Sequence, residues 1–141
     1  MNIIKYGLCL LMGWTTALWF QAHYTLNESA SEPLGWYQVM DRSLARNSLV
    51  LLRNPLKRLV GVPGDTVRFT PEGVYVNDKY IAHSAVPEGS PYKPYDFGTY
   101  KLEEDQYLVM GDNRLSLDAR YYGPIGGVLI ANSVVPIWTH R

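Results

Sequence analysis

The sequence predicts an all-β domain that follows a single N-terminal helix, and two observations lead to this fold class. The first is an uncharged stretch, residues 6–27, between Lys5 and Glu28. As a helix it would be roughly 33 Å long. The second is the remainder of the chain, where short β-rich runs alternate with Gly, Pro, Asn and Asp and no long helical periodicity occurs. A length of 141 residues favours one globular domain.

Residues 1–24 are predicted to be a membrane anchor, because a helix of about 20 mostly apolar residues can cross the hydrocarbon core. Lys5 precedes the apolar stretch and Glu28 follows it. The positive-inside rule therefore places the amino terminus in the cytoplasm and residues 25–141 outside. Two alternatives stay open: a signal peptide cleaved after Ala17, and a buried helix of a soluble protein.

The strands of the domain are predicted from β-rich runs bounded by turn residues. A hairpin is predicted where residues 73–76 and 79–81 flank Asn77 and Asp78, a pair typical of a two-residue turn. Residues 87–94 are rich in turn formers and predict a surface loop. The other candidate strands are residues 36–40, 48–53, 56–62, 66–70, 107–110, 128–131 and 134–138.

Composition excludes several classes of function. Thirteen basic residues balance thirteen acidic ones, and a nucleic-acid partner, which requires a basic stripe, is not expected. The single cysteine, Cys9, excludes an internal disulfide and a cysteine-based zinc site. The three histidines, His23, His83 and His140, are scattered along the chain. No metal or organic cofactor is therefore predicted.

Three segments depart from the plain strand-and-turn pattern. They are residues 27–37 (NESASEPLGWY), residues 56–65 (LKRLVGVPGD) and residues 110–123 (MGDNRLSLDARYYG). Each has a simple structural interpretation when taken alone. A serine pair before proline forms local turns, a lysine at a strand end is commonly solvated, and Asp118 beside Arg120 would be a surface ion pair.

Taken together and in this order, the three segments resemble the type I signal peptidase family (peptidase S26), whose members cleave with a Ser-Lys dyad. The resemblance extends over residues 27–123, and residues 56–65 are its most specific part. It implies a serine endopeptidase with the antiparallel β catalytic domain that signal peptidases share with LexA-like proteins. Its partner would be a precursor polypeptide.

Two spacings point to one branch of the family. Pro33 lies two residues after Ser31, whereas ordinary signal peptidases have proline three residues after the nucleophile. The interval from Gly111 to Asp118 is likewise one residue shorter. Both features resemble the TraF-type conjugative-transfer peptidases, which mature a pilin subunit. The resemblance implies a location in the bacterial inner membrane with the catalytic domain on the periplasmic side, in contact with lipid and with secretion or conjugation machinery.

The resemblance assigns Ser31 as the nucleophile and Lys57 as the general base. Elementary chemistry requires such a pair, since a serine hydroxyl is inert unless a neighbour takes its proton. Lysine becomes a base only where apolar burial lowers its pKa, and the neighbouring side chains Leu56, Leu59 and Val60 can supply that environment. No histidine lies in a motif with Ser31, so a Ser-His-Asp triad is the poorer interpretation.

The resemblance also implies four supporting residues. Ser116 would hold the lysine amine, and Asp118 would pair with Arg120 and organise the site. Ser29 would donate its hydroxyl to the oxyanion together with the Ser31 backbone N–H, an interaction worth a few kcal/mol. Ser29 is also the alternative nucleophile.

Two other functions stay open. The chain could be a general leader peptidase that removes signal peptides from many exported proteins. It could also be an inactive anchored β-domain that acts in the assembly of a secretion complex. Within the main hypothesis, hydrolysis by water and cyclisation by the amine of the precursor itself are both compatible with the sequence. The connection over residues 53–57 is shorter than in the family and predicts an altered substrate groove.

Overall fold

The computed structural model describes residues 2–52 and 55–140. Arg53 and Asn54, in the predicted short connection, lie outside the described residues. The described residues form two helices, one 3₁₀ turn and eleven strands. They are α1 (Asn2–His23), β1 (Tyr24–Asn27), β2 (Leu34–Met40), β3 (Leu49–Leu52), β4 (Leu56–Gly61), β5 (Thr66–Thr70), β6 (Gly73–Val76), β7 (Lys79–Tyr80), β8 (Gly98–Lys101), β9 (Gln106–Met110), α2 (Ala119–Tyr122), β10 (Ile125–Gly126), the 3₁₀ turn (Gly127–Leu129) and β11 (Ile130–His140).

The strands form two antiparallel sheets, which confirms the predicted antiparallel β fold. The larger sheet has seven strands in the order β1-β2-β11-β3-β4-β9-β10, and the smaller has four in the order β7-β6-β5-β8. β11 lies between β2 and β3. β11 therefore connects the β1–β2 part of the sheet, which carries the loop before β2, to the β3–β4 part.

Alternation of side chains explains how the core divides. On β5, Val67 and Phe69 point inward and are at most 3% exposed, as the two-residue period of a strand requires. β9 is buried on both faces: Leu108 packs in the cluster that includes the β5 residues, whereas Val109 packs in a second cluster with Val50. A continuous apolar run in β9 is the expected result.

The predicted hairpin is confirmed in detail. Val76 pairs with Lys79 across a two-residue loop. Asn77 and Asp78 have φ values of 49° and 62°, the positive values that a type I′ turn requires and that Asn and Asp tolerate.

Two predicted boundaries are wrong. The stretch of residues 6–27 is helical only to His23, because residues 24–27 pair with β2 as β1. The strand predicted over residues 128–131 begins only at Ile130. Before it the chain turns, with Arg42 donating to the carbonyls of Gly127 and Ile130 at 2.7 and 3.0 Å.

Helix α1 projects from the sheets. Its large apolar side chains are exposed, from 44% for Phe20 to 78% for Ile4. Its C-terminal turn contacts the domain through Phe20, which stacks on Tyr24 at 4.8 Å and meets Trp36 edge-on at 5.6 Å. Within residues 2–52 and 55–140, no helix combines the length and apolarity needed to cross a membrane.

Candidate active site

Ser31 lies in a tight loop between β1 and β2 that the side chain of Asn27 organises. The Asn27 amide nitrogen lies within 3.1 Å of the carbonyl oxygens of Ser29, Glu32 and Pro33. Its Oδ1 accepts from the Ser29 N–H at 3.1 Å. Asn27 is 5% exposed, and these contacts satisfy its buried polar atoms. Asn27 thereby ties together the backbone on both sides of Ser31.

Lys57 meets the hydroxyl of Ser31 from β4. Its Nζ lies 2.7 Å from Ser31 Oγ and 2.5 Å from Ser116 Oγ, and the two hydroxyl oxygens are 3.0 Å apart. Lys57 is 1% exposed, Ser116 4% and Ser31 8%. Three polar groups from distant parts of the chain thus form a closed cluster that bulk water barely reaches.

Burial lowers the pKa of Lys57 because desolvation disfavours its charged form. The negative charges of Asp118 and Glu32 oppose this effect and raise the pKa, while the positive charge of Arg120 lowers it further. The net direction is downward, as a lysine that accepts a proton requires.

Ser116 reaches the cluster because residue 111 is a glycine. A Cβ at Gly111 would collide with the Ser116 side chain and touch the carbonyl oxygen of Ser31. The same loop is tied to the Ser31 loop by Asn113, whose backbone N–H donates to Ser31 O at 3.2 Å and whose side chain donates to Ala30 O at 3.0 Å. The two loops therefore form one unit.

The Asp118–Arg120 ion pair lies beneath this loop, with both side chains fully buried. Arg120 donates Nη2 to Asp118 Oδ2 at 2.6 Å and Nε to Asp118 Oδ1 at 2.8 Å. Its remaining N–H groups donate to the carbonyls of His83, Arg114 and Asn113 at 2.6–3.0 Å. This is a buried bidentate pair that fixes the course of residues 113–118, not the surface pair that the spacing alone suggests.

Ser29 contacts the hydroxyl and the backbone of Ser31. Its Oγ lies 3.2 Å from Ser31 Oγ and accepts from the Ser31 N–H at 3.3 Å. A second hydroxyl thus stands beside the N–H group predicted to bind the oxyanion. Of the two hydroxyls, those of Ser29 and Ser31, it is that of Ser31 that lies 2.7 Å from Lys57 Nζ.

Comparison with known proteins identifies the family. The sequence profile described as "Signal peptidase, peptidase S26" matches residues 3–138. The chain belongs to this family. The predicted resemblance is thereby confirmed, and it includes the conjugative-transfer branch: the chain is 35% identical over 89 residues to the plasmid transfer protein TraF of Escherichia coli, covering 60% of this chain and 50% of that protein.

This chain is also similar to ordinary signal peptidases. Signal peptidase I V of Bacillus subtilis is 34% identical over 102 residues, covering 60% of each chain. The crystal structure of a signal peptidase I from Enterococcus faecalis V583 superposes with a TM-score of 0.47 at 24% identity, covering 68% of this chain and 100% of that one. This family member thus spans about 60% and 50% of the length of the two sequence relatives.

A cleft opens beside Ser31 and is lined by residues to which the sequence assigns no role. Its walls include Glu32, Asp112, Asn113 and His140. Asn27, at the start of the first motif, is a further residue to which the sequence assigns no role. Its place in that motif, four residues before Ser31, is the feature of the sequence that could have indicated its role. His140 has no such feature, because only the pairing of β11 with β2 brings it opposite Leu34.

Proposed function

We propose that this chain is a serine endopeptidase that cleaves a precursor polypeptide, with Ser31 as nucleophile and Lys57 as general base. The observation that carries the proposal is the 2.7 Å contact between a buried lysine amine and a serine hydroxyl. Family membership supports the same chemistry. No cofactor enters the mechanism, because the dyad itself supplies both the nucleophile and the base.

The reaction follows from the cluster. Neutral Lys57 takes the proton of Ser31 as its oxygen attacks the scissile carbonyl, and Ser116 keeps the amine in place. The Ser31 N–H and the Ser29 hydroxyl stabilise the oxyanion, which requires that the N–H exchange its contact with Ser29 for the substrate oxygen. Lys57 then returns the proton to the leaving amine, and an acyl-enzyme on Ser31 remains.

The substrate class proposed is a conjugative pilin precursor. The support is the similarity to plasmid transfer protein TraF and the two-residue interval between Ser31 and Pro33. The acyl-enzyme would then be resolved by water, giving a linear product, or by the amine of the same precursor, giving a ring. A general leader peptidase is the second candidate, and the 34% identity to signal peptidase I V of Bacillus subtilis favours it.

Mass spectrometry of a co-expressed precursor tests these proposals. Wild-type protein should shorten the pilin precursor, and a further loss of one water would indicate a ring. Ser31→Ala should leave the precursor intact, whereas Ser43→Ala, at an exposed serine, should process it as wild type does. Cleavage of a general secretory precursor but not of a pilin would favour the leader peptidase. Processing that survives in Ser31→Ala would refute the dyad.

We propose further that α1 attaches the chain to the bacterial inner membrane and that residues 25–141 form the catalytic domain on the periplasmic side. The support is the exposure of Leu10, Trp14 and Leu18, at 75%, 69% and 51%, and the absence of Asp, Glu, Lys and Arg from residues 6–27. The full chain should remain in the membrane fraction after an alkaline carbonate wash. Recovery of the full chain in the wash would contradict this proposal without affecting the dyad.

A further inference from the structure

Glu32, the residue after Ser31, is a buried acid that the mechanism above does not use. Its side chain is fully buried. Among the residues that the structure describes, its Oε1 is the buried side-chain atom left without a hydrogen-bond partner. An acid in such a place is costly, and a structural role alone would be filled as well by an apolar residue. Glu32 therefore requires a specific explanation.

Glu32 belongs to a charged cluster on the outer side of the dyad. Its Oε2 lies 3.5 Å from Arg58 Nη2. Arg58 in turn donates Nε to Asp112 Oδ1 at 3.0 Å and Nη2 to Asp112 Oδ2 at 3.1 Å. Each of the three residues is adjacent in sequence to a residue of the candidate site. Glu32 follows Ser31, Arg58 follows Lys57, and Asp112 precedes Asn113, which hydrogen-bonds the Ser31 loop.

The cluster links the three segments because strand geometry sends adjacent side chains in opposite directions. Lys57 points from β4 toward Ser31 and Ser116, and Arg58 points from the same strand toward Glu32 and Asp112. The backbone of residues 31 and 32 thus lies between two sets of polar contacts.

Electrostatics couple Glu32 to the dyad as well. Burial raises the pKa of Glu32 to about 7, and the charge of Asp112 raises it too. The charge of Arg58, a hydrogen bond from the Asp112 backbone and the charge of Lys57 lower it. In return, an ionised Glu32 raises the pKa of Lys57. The charged and titratable groups around Glu32 and Lys57 come from several elements. They are Arg58 from β4, Asp112 from the loop after β9, Tyr37 from β2 beside Arg58, His140 from β11 in the same cleft, and the pair of Asp118 and Arg120 on the side of Lys57.

We propose that Glu32 is a positioning residue: with Arg58 and Asp112 it holds the Ser31 loop against β4, and its charge sets the pH range in which Lys57 serves as the base. This proposal rests on the proposed peptidase function. Because an ionised Glu32 stabilises the ammonium form of Lys57, it makes the lysine a base only at higher pH. Removing that charge should extend activity to lower pH.

The test is the pH profile of kcat/KM for precursor cleavage by wild type, Glu32→Gln and Glu32→Asp. Glu32→Gln keeps the size and removes the charge, so its acidic limb should move to lower pH. Glu32→Asp keeps the charge, so its limb should stay at the wild-type position while kcat falls. The matched control is Glu28→Gln, which removes an equal charge from an exposed position four residues earlier and should leave the profile unchanged.

A profile of Glu32→Gln that coincides with wild type or moves to higher pH would overturn the proposal, as would an equal shift in Glu32→Asp. A second readout does not need a substrate: NMR titration of the Lys57 amine, assigned with Lys57→Met. Glu32→Gln should lower the pKa of Lys57 in that titration. If Glu32→Gln lowers the pKa of Lys57 although wild type cleaves no precursor, the proposed peptidase function is wrong and the coupling between Glu32 and Lys57 stands. If the pKa of Lys57 is unchanged, the proposed coupling is wrong.

Discussion

The sharpest prediction concerns the buried ion pair beneath the site, perturbed by Asp118→Ala. In the folded protein the Asp118 carboxylate accepts four hydrogen bonds. They come from the Gly111 N–H at 2.8 Å, from the Arg120 N–H at 3.2 Å and from the Arg120 side chain at 2.8 and 2.6 Å. The alanine variant removes all four and leaves the Arg120 guanidinium buried without its counter-charge.

The magnitude follows from burial and from the bonds that remain. Removing one partner of a buried pair costs about 3–5 kcal/mol. Arg120 keeps its three contacts with carbonyl oxygens, so the expected loss lies near the lower limit, about 3 kcal/mol. With about 4 °C of melting temperature per kcal/mol for a domain of this size, Tm should fall by about 12 °C.

The assay is urea unfolding at neutral pH, with the free energy extrapolated linearly to zero urea. The matched control is Asp96→Ala, which breaks the ion pair of Asp96 with Lys93. Both side chains of that pair are exposed, Lys93 at 84% and Asp96 at 76%. An exposed pair of this kind is worth less than about 1 kcal/mol. The double variant Asp118→Ala, Arg120→Leu should be more stable than Asp118→Ala, because it no longer buries an unpaired charge.

A loss in Asp118→Ala no larger than that in Asp96→Ala would refute the reasoning. It would mean that water reaches the guanidinium in the variant or that the loop over residues 111–118 rearranges to expose it. A double variant less stable than the single one would refute the second step, since the uncompensated charge would then not be the source of the loss.

Two further predictions concern the dyad and its neighbour. Lys57→Met should abolish cleavage. It should also change how stability depends on pH, because the pKa of Lys57 is lower in the folded state than in the unfolded chain. As the pH falls from the unfolded-state pKa toward the folded-state pKa, the wild type loses about 1.4 kcal/mol of unfolding free energy per pH unit. Urea unfolding should therefore show the methionine variant gaining on wild type as pH falls through that window, and a constant difference would contradict the assignment. Ser29→Ala should lower kcat by about 10²-fold or more with KM little changed; equal kinetics in Ser29→Ala and wild type would exclude an oxyanion contact.

The sequence predicts the strands well wherever one face is buried. Residues 66–70 form β5 as predicted, since Val67 and Phe69 alternate with polar neighbours. β1 and β8 were missed because their patterns are weak: each strand has four residues and at most one of them is buried. Such strands form because a neighbour pairs with their backbone, which a single sequence does not reveal.

The sequence indicates which side chains meet in the candidate site but not how deeply they are buried. The order of the three motifs indicated Ser31, Lys57 and Ser116, and these three lie within 3.0 Å of one another. The burial of Arg120 was not predictable, because its neighbours in sequence do not indicate which loops cover it. Glu32 was overlooked for the same reason, since its contacts with Arg58 and Asp112 join residues 26 and 80 positions away in the chain.

The position of β11 has a consequence for the order in which the protein assembles. β11 pairs with β2 through residues 133–140 and with β3 through residues 130–134, so it joins the half of the sheet that follows Ser31 to the half that carries Lys57. A growing chain contains both residues long before it contains β11. If Ser31 and Lys57 form the proposed dyad, a chain that still lacks residues 130–140 should also lack the strand that aligns the two groups, and we expect it to be inactive.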